Sequence, residues 1–210
     1  MSRRIITVEG NIGSGKTSFA KKLASAYNAK LILETFADNP FLQKFFVKQQ
    51  EYALGMEMFF MAERYEQLKA ELSEADDAQE TVVIDYLFTK SLLYARVNLD
   101  DAEYGLYQKI FNILNPKVIK SDLIIYLHSN LDRLVSNIYK RGREFELSVK
   151  KDYLKKIEDV YLTEFENINS GTILILDVSE IDFVNNIDDF NKMSTLINQK
   201  YTDGIFKFQI

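Results

Sequence analysis

Five short apolar runs, at residues 4–9, 30–34, 81–85, 122–127 and 172–177, alternate with longer stretches in which apolar positions recur every three to four residues. Runs of this length predict buried strands, and the intervening period predicts amphipathic helices. Together they predict an α/β fold: a five-stranded parallel sheet, flanked on both faces by the helices that cross from one strand to the next. The only two prolines, Pro40 and Pro116, are expected between elements, because proline cannot donate to a ladder or a helix interior. Residues 72–80 are acidic and lack apolar period, and are expected to form an exposed loop before the third strand. No repeat, linker or low-complexity tract is evident, and 210 residues suit one domain spanning 1–210 rather than two.

Composition narrows the chemistry. With 47% hydrophobic and 27% charged residues the chain is of ordinary globular type, which argues against disorder. It has no cysteine and a single histidine, His128, which excludes disulfides and thiolate sites and makes a histidine metal cluster implausible. A net charge of −5 argues against a nucleic-acid partner, whose backbone demands clustered cations. Met1 leads directly into the first strand with neither a signal peptide nor a membrane span, so no membrane association and a cytoplasmic location are expected.

The first strand runs into EGNIGSGKTS, residues 9–18. This fits G-x-x-x-x-G-K-[ST] through Gly10, Gly15, Lys16 and Thr17, with Asn11, Ile12, Gly13 and Ser14 between them. Such a loop turns successive backbone N–H groups inward onto phosphate oxygens, at the N-terminus of the helix that follows. Lys16 is then expected on the β- and γ-phosphates of a nucleotide and the Thr17 hydroxyl on Mg²⁺.

In parallel sheets ligands bind beyond the carboxyl ends of the strands, and here three runs end in acids: Glu34, Asp85 and Asp177. Any one of them can simply cap the next helix. Beside a phosphate loop, Asp85 is expected as a carboxylate for Mg²⁺, and Glu34 as an acceptor for the proton of an attacking hydroxyl. The segment KRGREFE, residues 140–146, follows a helix expected to begin near Ser129. Arg141 and Arg143 flank Gly142 and could swing over a phosphate chain as part of a mobile lid at about residues 140–148. The alternative is a basic helix end complementing the dipole.

EGNIGSGKT, ETFADNPFL, EYALGMEMFFMAERYEQL, VVIDY, KRGREFE and LDVSEIDF occur in this order, and through them the chain resembles the deoxyribonucleoside kinases, particularly the bacterial deoxyguanosine kinase branch, over roughly residues 4–200. The resemblance implies a P-loop kinase with a helical lid that uses ATP and Mg²⁺ to phosphorylate a nucleoside 5′-hydroxyl. It implies Glu34 as general base, Asp85 with Mg²⁺, Arg141 and Arg143 on the ATP phosphates, and Glu146 on the sugar 3′-hydroxyl. Asp182 and Phe183 fall in the loop that meets adenine. A homodimer, and feedback by a deoxynucleoside triphosphate, are further implications. Two positions depart from the family pattern: Tyr86 stands where most members have an arginine, and Phe46 where a tyrosine is expected on the 3′-hydroxyl. A phosphate-neutralising cation is therefore missing or supplied elsewhere.

On the long helix expected after Glu51, Glu57 and Arg64 are two turns apart and project from nearly the same face, with Met56, Phe59, Phe60 and Met61 as apolar surface for a flat base. Such a pair can equally be a solvated ion pair. Under the resemblance, Glu57 stands where the family generally has a base-reading glutamine. An ionised carboxylate accepts both guanine donors, N1–H and N2–H, whereas adenine offers one donor and one acceptor. Arg64 could add donors to the base or orient Glu57. The expected acceptor is deoxyguanosine, with deoxyadenosine second. A nucleoside monophosphate kinase normally keeps the arginine that Tyr86 replaces. A GTPase switch would need D-x-x-G and N-K-x-D, neither of which occurs. A binding module without turnover would need no Glu34 together with lid arginines.

Overall fold

The computed structural model describes residues 3–35, 39–73, 81–167 and 171–210. The strands are β1 (Arg4–Gly10), β2 (Lys30–Ile32), β3 (Thr81–Ile84), β4 (Leu123–His128), β5 (Thr172–Asp177) and β6 (Gly204–Gln209). They form one sheet in the order β2-β3-β1-β4-β5-β6, and every pairing is parallel. The sheet therefore has six strands rather than the five expected. The sixth, GIFKFQ, lies at the edge, pairing Thr172 with Gly204 and Asp177 with Gln209. It alternates between exposed and half-buried positions, so it lacks the continuous apolar run of the strands covered on both faces.

The helices are α1 (Lys16–Tyr27), α2 (Leu42–Val47), α3 (Gln49–Ser73), α4 (Lys90–Asn98), α5 (Asp101–Leu114), α6 (Leu131–Arg141), α7 (Lys151–Asn167) and α8 (Ile187–Ile197). Successive strand residues divide between the two layers, as the pleat requires. Ile6 and Val8 pack with Phe19 of α1 and Met193 of α8, whereas Ile5 packs with Met61 of α3 and Phe111 of α5. Ile173 and Ile175 of β5 meet Tyr161 and Phe165 of α7.

Two local expectations change. Leu72, expected in a loop, lies in the last turn of α3 and is buried with Leu68 and Val82; residues 74–80 lie outside the described residues. Pro116 falls inside a short 3₁₀ turn, Asn115–Lys117, near its start, where a missing N–H costs no bond. Among the described residues no helix is long and apolar enough to cross a membrane.

β1 lies beside β4, and the connection from the carboxyl end of β1 runs to β2 on one side of the sheet while that of β4 runs to β5 on the other. That divergence opens a crevice, and the glycine loop occupies its floor.

Candidate active site

Backbone geometry makes the loop a cradle. Gly13 and Gly15 have φ of 82° and 88°, the left-handed region that glycine enters without strain. A Cβ on Gly13 would lie 2.6 Å from the Leu134 carbonyl, and one on Gly15 2.8 Å from the Phe183 ring. Asn137 of α6 holds the loop from above, donating to the Gly13 carbonyl at 2.8 Å. Lys16 donates to the Asn11 carbonyl at 3.0 Å, within the loop itself. Burial, then the nearby Lys90 charge, brings its ammonium down to about 8. The buried Ser14 hydroxyl has no partner among the described residues. These features suit a phosphate chain, whose oxygens would take the loop's unpaired donors.

Thr17 and Asp85 meet across the crevice: the hydroxyl donates to Asp85 Oδ2 at 2.7 Å, while Asp85 Oδ1 accepts from the Glu34 backbone N–H at 2.6 Å. Among the described residues no group of three or more His, Cys, Asp or Glu side chains is arranged to hold a metal. A divalent cation fits here through two protein oxygens, completed by phosphate and water, the mode that suits Mg²⁺.

Glu34 is clamped between cations. Arg64 reaches its Oε1 through Nε at 2.8 Å and Nη2 at 2.7 Å, and Lys90 reaches its Oε2 at 2.6 Å. Burial pushes this carboxyl up, but Lys90 and Arg64 outweigh it and bring it down to about 2. Arg64 also donates to Ser91 at 2.8 Å. Its hydrogen bonds thus go to Glu34 and Ser91, while its charge is near enough to Glu57 to act on that carboxyl. Lys90 escaped the sequence reading. Its only signal was a lone cation in the otherwise apolar segment after Asp85, and segments of that kind are common.

Arg141 and Arg143 converge on one carboxylate. Glu146, 7% exposed in a 3₁₀ turn over Glu144–Glu146, accepts from Arg141 at Oε2 and from Arg143 at Oε1, the latter at 3.1 Å. Gly142 ends α6 at φ 69°, turning the chain so that both arginines face the same acid.

Two cavities meet here. The inner one is lined by Glu57, Arg64, Lys90, Phe46, Phe60 and Glu146 among others, apolar rings beside a few charged groups, a lining that suits a small organic ligand. The outer one is lined by the glycine loop, Arg133, Lys140, Asp182 and Phe183. Lys16, Thr17, Glu34, Arg141 and Arg143 line both and form the seam between them. Phe183 is buried against Phe19, with ring centroids 5.4 Å apart, and Asp182 accepts from the Val184 and Asn185 amides, closing the loop that rims the outer cavity.

At the inner cavity Glu57 is 1% exposed. Asn98, also unanticipated, donates to its Oε1 at 2.6 Å, while Oε2 has no partner among the described residues. Burial drives this carboxyl up to about 7, against the lowering effect of the Asn98 bond and the Arg64 charge. Phe46 stacks obliquely on Phe145 at 5.9 Å and faces the cavity, as does Phe45 beside it. Tyr86, expected at the substrate, instead lies in the apolar cluster of α3 and α5, and its hydroxyl donates to Gln67 at 2.8 Å. It does not line the cavity.

A parallel α/β sheet with a glycine-loop crevice and a carboxylate at the seam of two cavities defines the class as phosphotransferase-like. The family description "Deoxynucleoside kinase" matches residues 6–202, and the chain belongs to that family. It is similar to the deoxyguanosine kinase of Bacillus subtilis (strain 168), 31% identical over 92% of this chain and 96% of the relative. It is also similar to the deoxyadenosine/deoxycytidine kinase of the same organism, 27% identical over 93% and 90% of the two chains. Deoxyadenosine kinase from M. mycoides, solved with bound dCTP, shares the fold with a TM-score of 0.77 at 21% identity, covering 91% of this chain and 99% of that one.

Proposed function

We propose that this deoxynucleoside kinase transfers the γ-phosphoryl group of ATP to the 5′-hydroxyl of a purine deoxynucleoside, with deoxyguanosine preferred. The observation that carries the reading is the seam: the residues suited to phosphate and to an acceptor hydroxyl line both cavities at once. ATP takes the outer cavity, with its phosphates on the loop and adenine against the turn of Asp182 and Phe183. The nucleoside takes the inner one, its base toward Glu57 and its sugar toward Phe46 and Glu146. Thr17 and Asp85 would hold Mg²⁺, which when bound neutralises phosphate charge.

Glu34 is ionised and positioned rather than strongly basic. That suffices, because a loose phosphoryl-transfer transition state leaves the hydroxyl proton in place until late and depends chiefly on alignment and charge. Arg141 and Arg143 must exchange Glu146 for phosphate as the lid engages, which frees Glu146 for the sugar. Tyr86 stays a packing residue.

Guanine preference rests on Glu57. With Asn98 on Oε1, its free oxygen and remaining lone pairs can accept N1–H and N2–H together. The relative named deoxyguanosine kinase supports the same choice. Deoxyadenosine is the second reading, favoured by one observation: a carboxyl titrating near 7 is partly protonated at neutral pH and then offers a donor and an acceptor, as adenine requires. Feedback by a deoxynucleoside triphosphate belongs to this reading, supported by the M. mycoides enzyme solved with dATP. A homodimer does too, supported by Leu106 and Ile113, half or more exposed on one face of α5.

Turnover of the four deoxynucleosides and their monophosphates with ATP tests the assignment. Deoxyguanosine should give the highest kcat/KM; phosphorylation of monophosphates alone would overturn it.

A further inference from the structure

The cavity holds one cation that is buried yet loosely anchored. Arg64 is fixed by three contacts to Glu34 and Ser91, Arg141 and Arg143 are engaged by Glu146, and Lys16 by the Asn11 carbonyl. Lys90 is 5% exposed, and its only ionic partner among the described residues is Glu34 Oε2 at 2.6 Å, with the Tyr94 ring 5.5 Å away. Lys90 is the first residue of α4, where the helix dipole is positive, and neither an acid in the first turn nor a side-chain cap offsets it. Lys16 is close enough to be affected by its charge. Lys16, Arg64 and Lys90 line the same cavity as Glu34, Asp85 and Glu57, so cations and carboxylates lie side by side where a ligand enters.

A buried lysine paired with Glu34, itself a residue of the seam, lies where an arriving polyphosphate would compete for its charge. A lysine on a flexible stem with a single anchor can follow it, unlike a guanidinium held in a fork. We propose that Lys90 is the travelling cation of the reaction: it neutralises Glu34 in the empty enzyme and moves onto the transferring phosphoryl group in the ternary complex. This rests on the kinase reading above. The bond from the γ-phosphorus to the bridging oxygen of ADP breaks, and the bond from the same phosphorus to the nucleoside O5′ forms. The hydroxyl proton goes to Glu34, and Lys90 keeps its own proton throughout. Its departure leaves Glu34 held by Arg64 alone, open to the hydroxyl. Lys90 then supplies the charge that Tyr86, buried away from the cavity, does not.

The test compares wild type, Lys90→Met and Lys90→Arg in steady-state turnover of ATP and deoxyguanosine. It also compares their affinity for ADP alone and for ADP with aluminium fluoride and deoxyguanosine, a mimic of the charged transferring group. Lys90→Met should lower kcat about 10²–10³-fold with both KM values near wild type. Its affinity for ADP should be unchanged while affinity for the fluoride complex falls in step with kcat. Lys90→Arg, which keeps the charge but not the freely rotating ammonium, should recover only part of both losses. A Met variant that loses kcat but keeps its affinity for the fluoride complex would overturn the proposal, leaving Lys90 as a positioning residue for Glu34. So would a variant changed only in KM. If Lys90→Met does not fold, Lys90→Gln carries the same comparison. A wild type that phosphorylates no deoxynucleoside overturns the functional reading first, and this inference with it.

Discussion

Asn98 donates to Glu57 Oε1 at 2.6 Å, tying the last residue of α4 to α3, while Glu57 Oε2, buried, has no partner among the described residues. A buried polar atom without a partner costs about 1–3 kcal/mol, so a ligand that brings a donor to Oε2 is favoured by about that much. Glu57→Gln should shift the ratio of kcat/KM from deoxyguanosine toward deoxyadenosine or deoxycytidine by roughly ten- to a hundredfold. Unchanged selectivity with intact activity would show that Glu57 does not read the base.

The same carboxyl makes stability depend on pH. Its folded value of about 7 lies above the ordinary 4.5, so between those limits the folded protein holds a proton that the unfolded chain has released. Stability from this group is full below the lower limit, falls as pH rises through the window, and is flat above it. Glu57→Gln should remove that slope and, at pH 8, exceed wild type by about 1–3 kcal/mol in urea unfolding. The two proteins should converge at the acidic end; a gap that does not vary with pH would point to packing instead.

Replacing Glu34 by Gln keeps a hydrogen-bonding side chain of the same shape between Arg64 and Lys90 but removes the proton acceptor. Folding and ATP binding should survive, and turnover should fall by about 10²-fold or more. Calorimetric titration with ATP beside a rate measurement separates the two; normal turnover would make Glu34 structural.

Arg143 contacts Glu146 at 3.1 Å and, in the proposed mechanism, would exchange that contact for phosphate. Arg143→Ala should therefore lower kcat more than it alters the KM for nucleoside, because its charge matters most as the phosphoryl group transfers. An effect confined to nucleoside KM would place it with Glu146 at the sugar.

The seam was partly legible beforehand. Gly10 to Thr17 is a local motif whose geometry follows from neighbours in sequence. Glu34 and Asp85 could be picked out because each closes an apolar run, and strand ends of a parallel sheet share one edge. Lys90 and Asn98 could not. Each matters only through a partner far away in sequence, Glu34 and Glu57, and a single cation or amide on a helix carries no pattern of its own. Tyr86 lies off the crevice for a related reason: neighbouring residues of an extended segment point to opposite sides, and beside Asp85 its hydroxyl goes to Gln67.

The sequence by itself determined the α/β architecture, five of the six strands, the glycine loop after β1 and the acids that follow the strands, because period, run length and glycine spacing are short-range properties of the chain. Tertiary structure alone decided the edge strand β6, whose half-exposed alternation becomes a strand only beside β5. It also decided the charge pairing: which cation holds which carboxylate, with Arg64 and Lys90 on Glu34 and both lid arginines on Glu146. Those pairings, and the pKa values they set, depend on distances between elements and on how much water burial removes, which no spacing along the chain encodes.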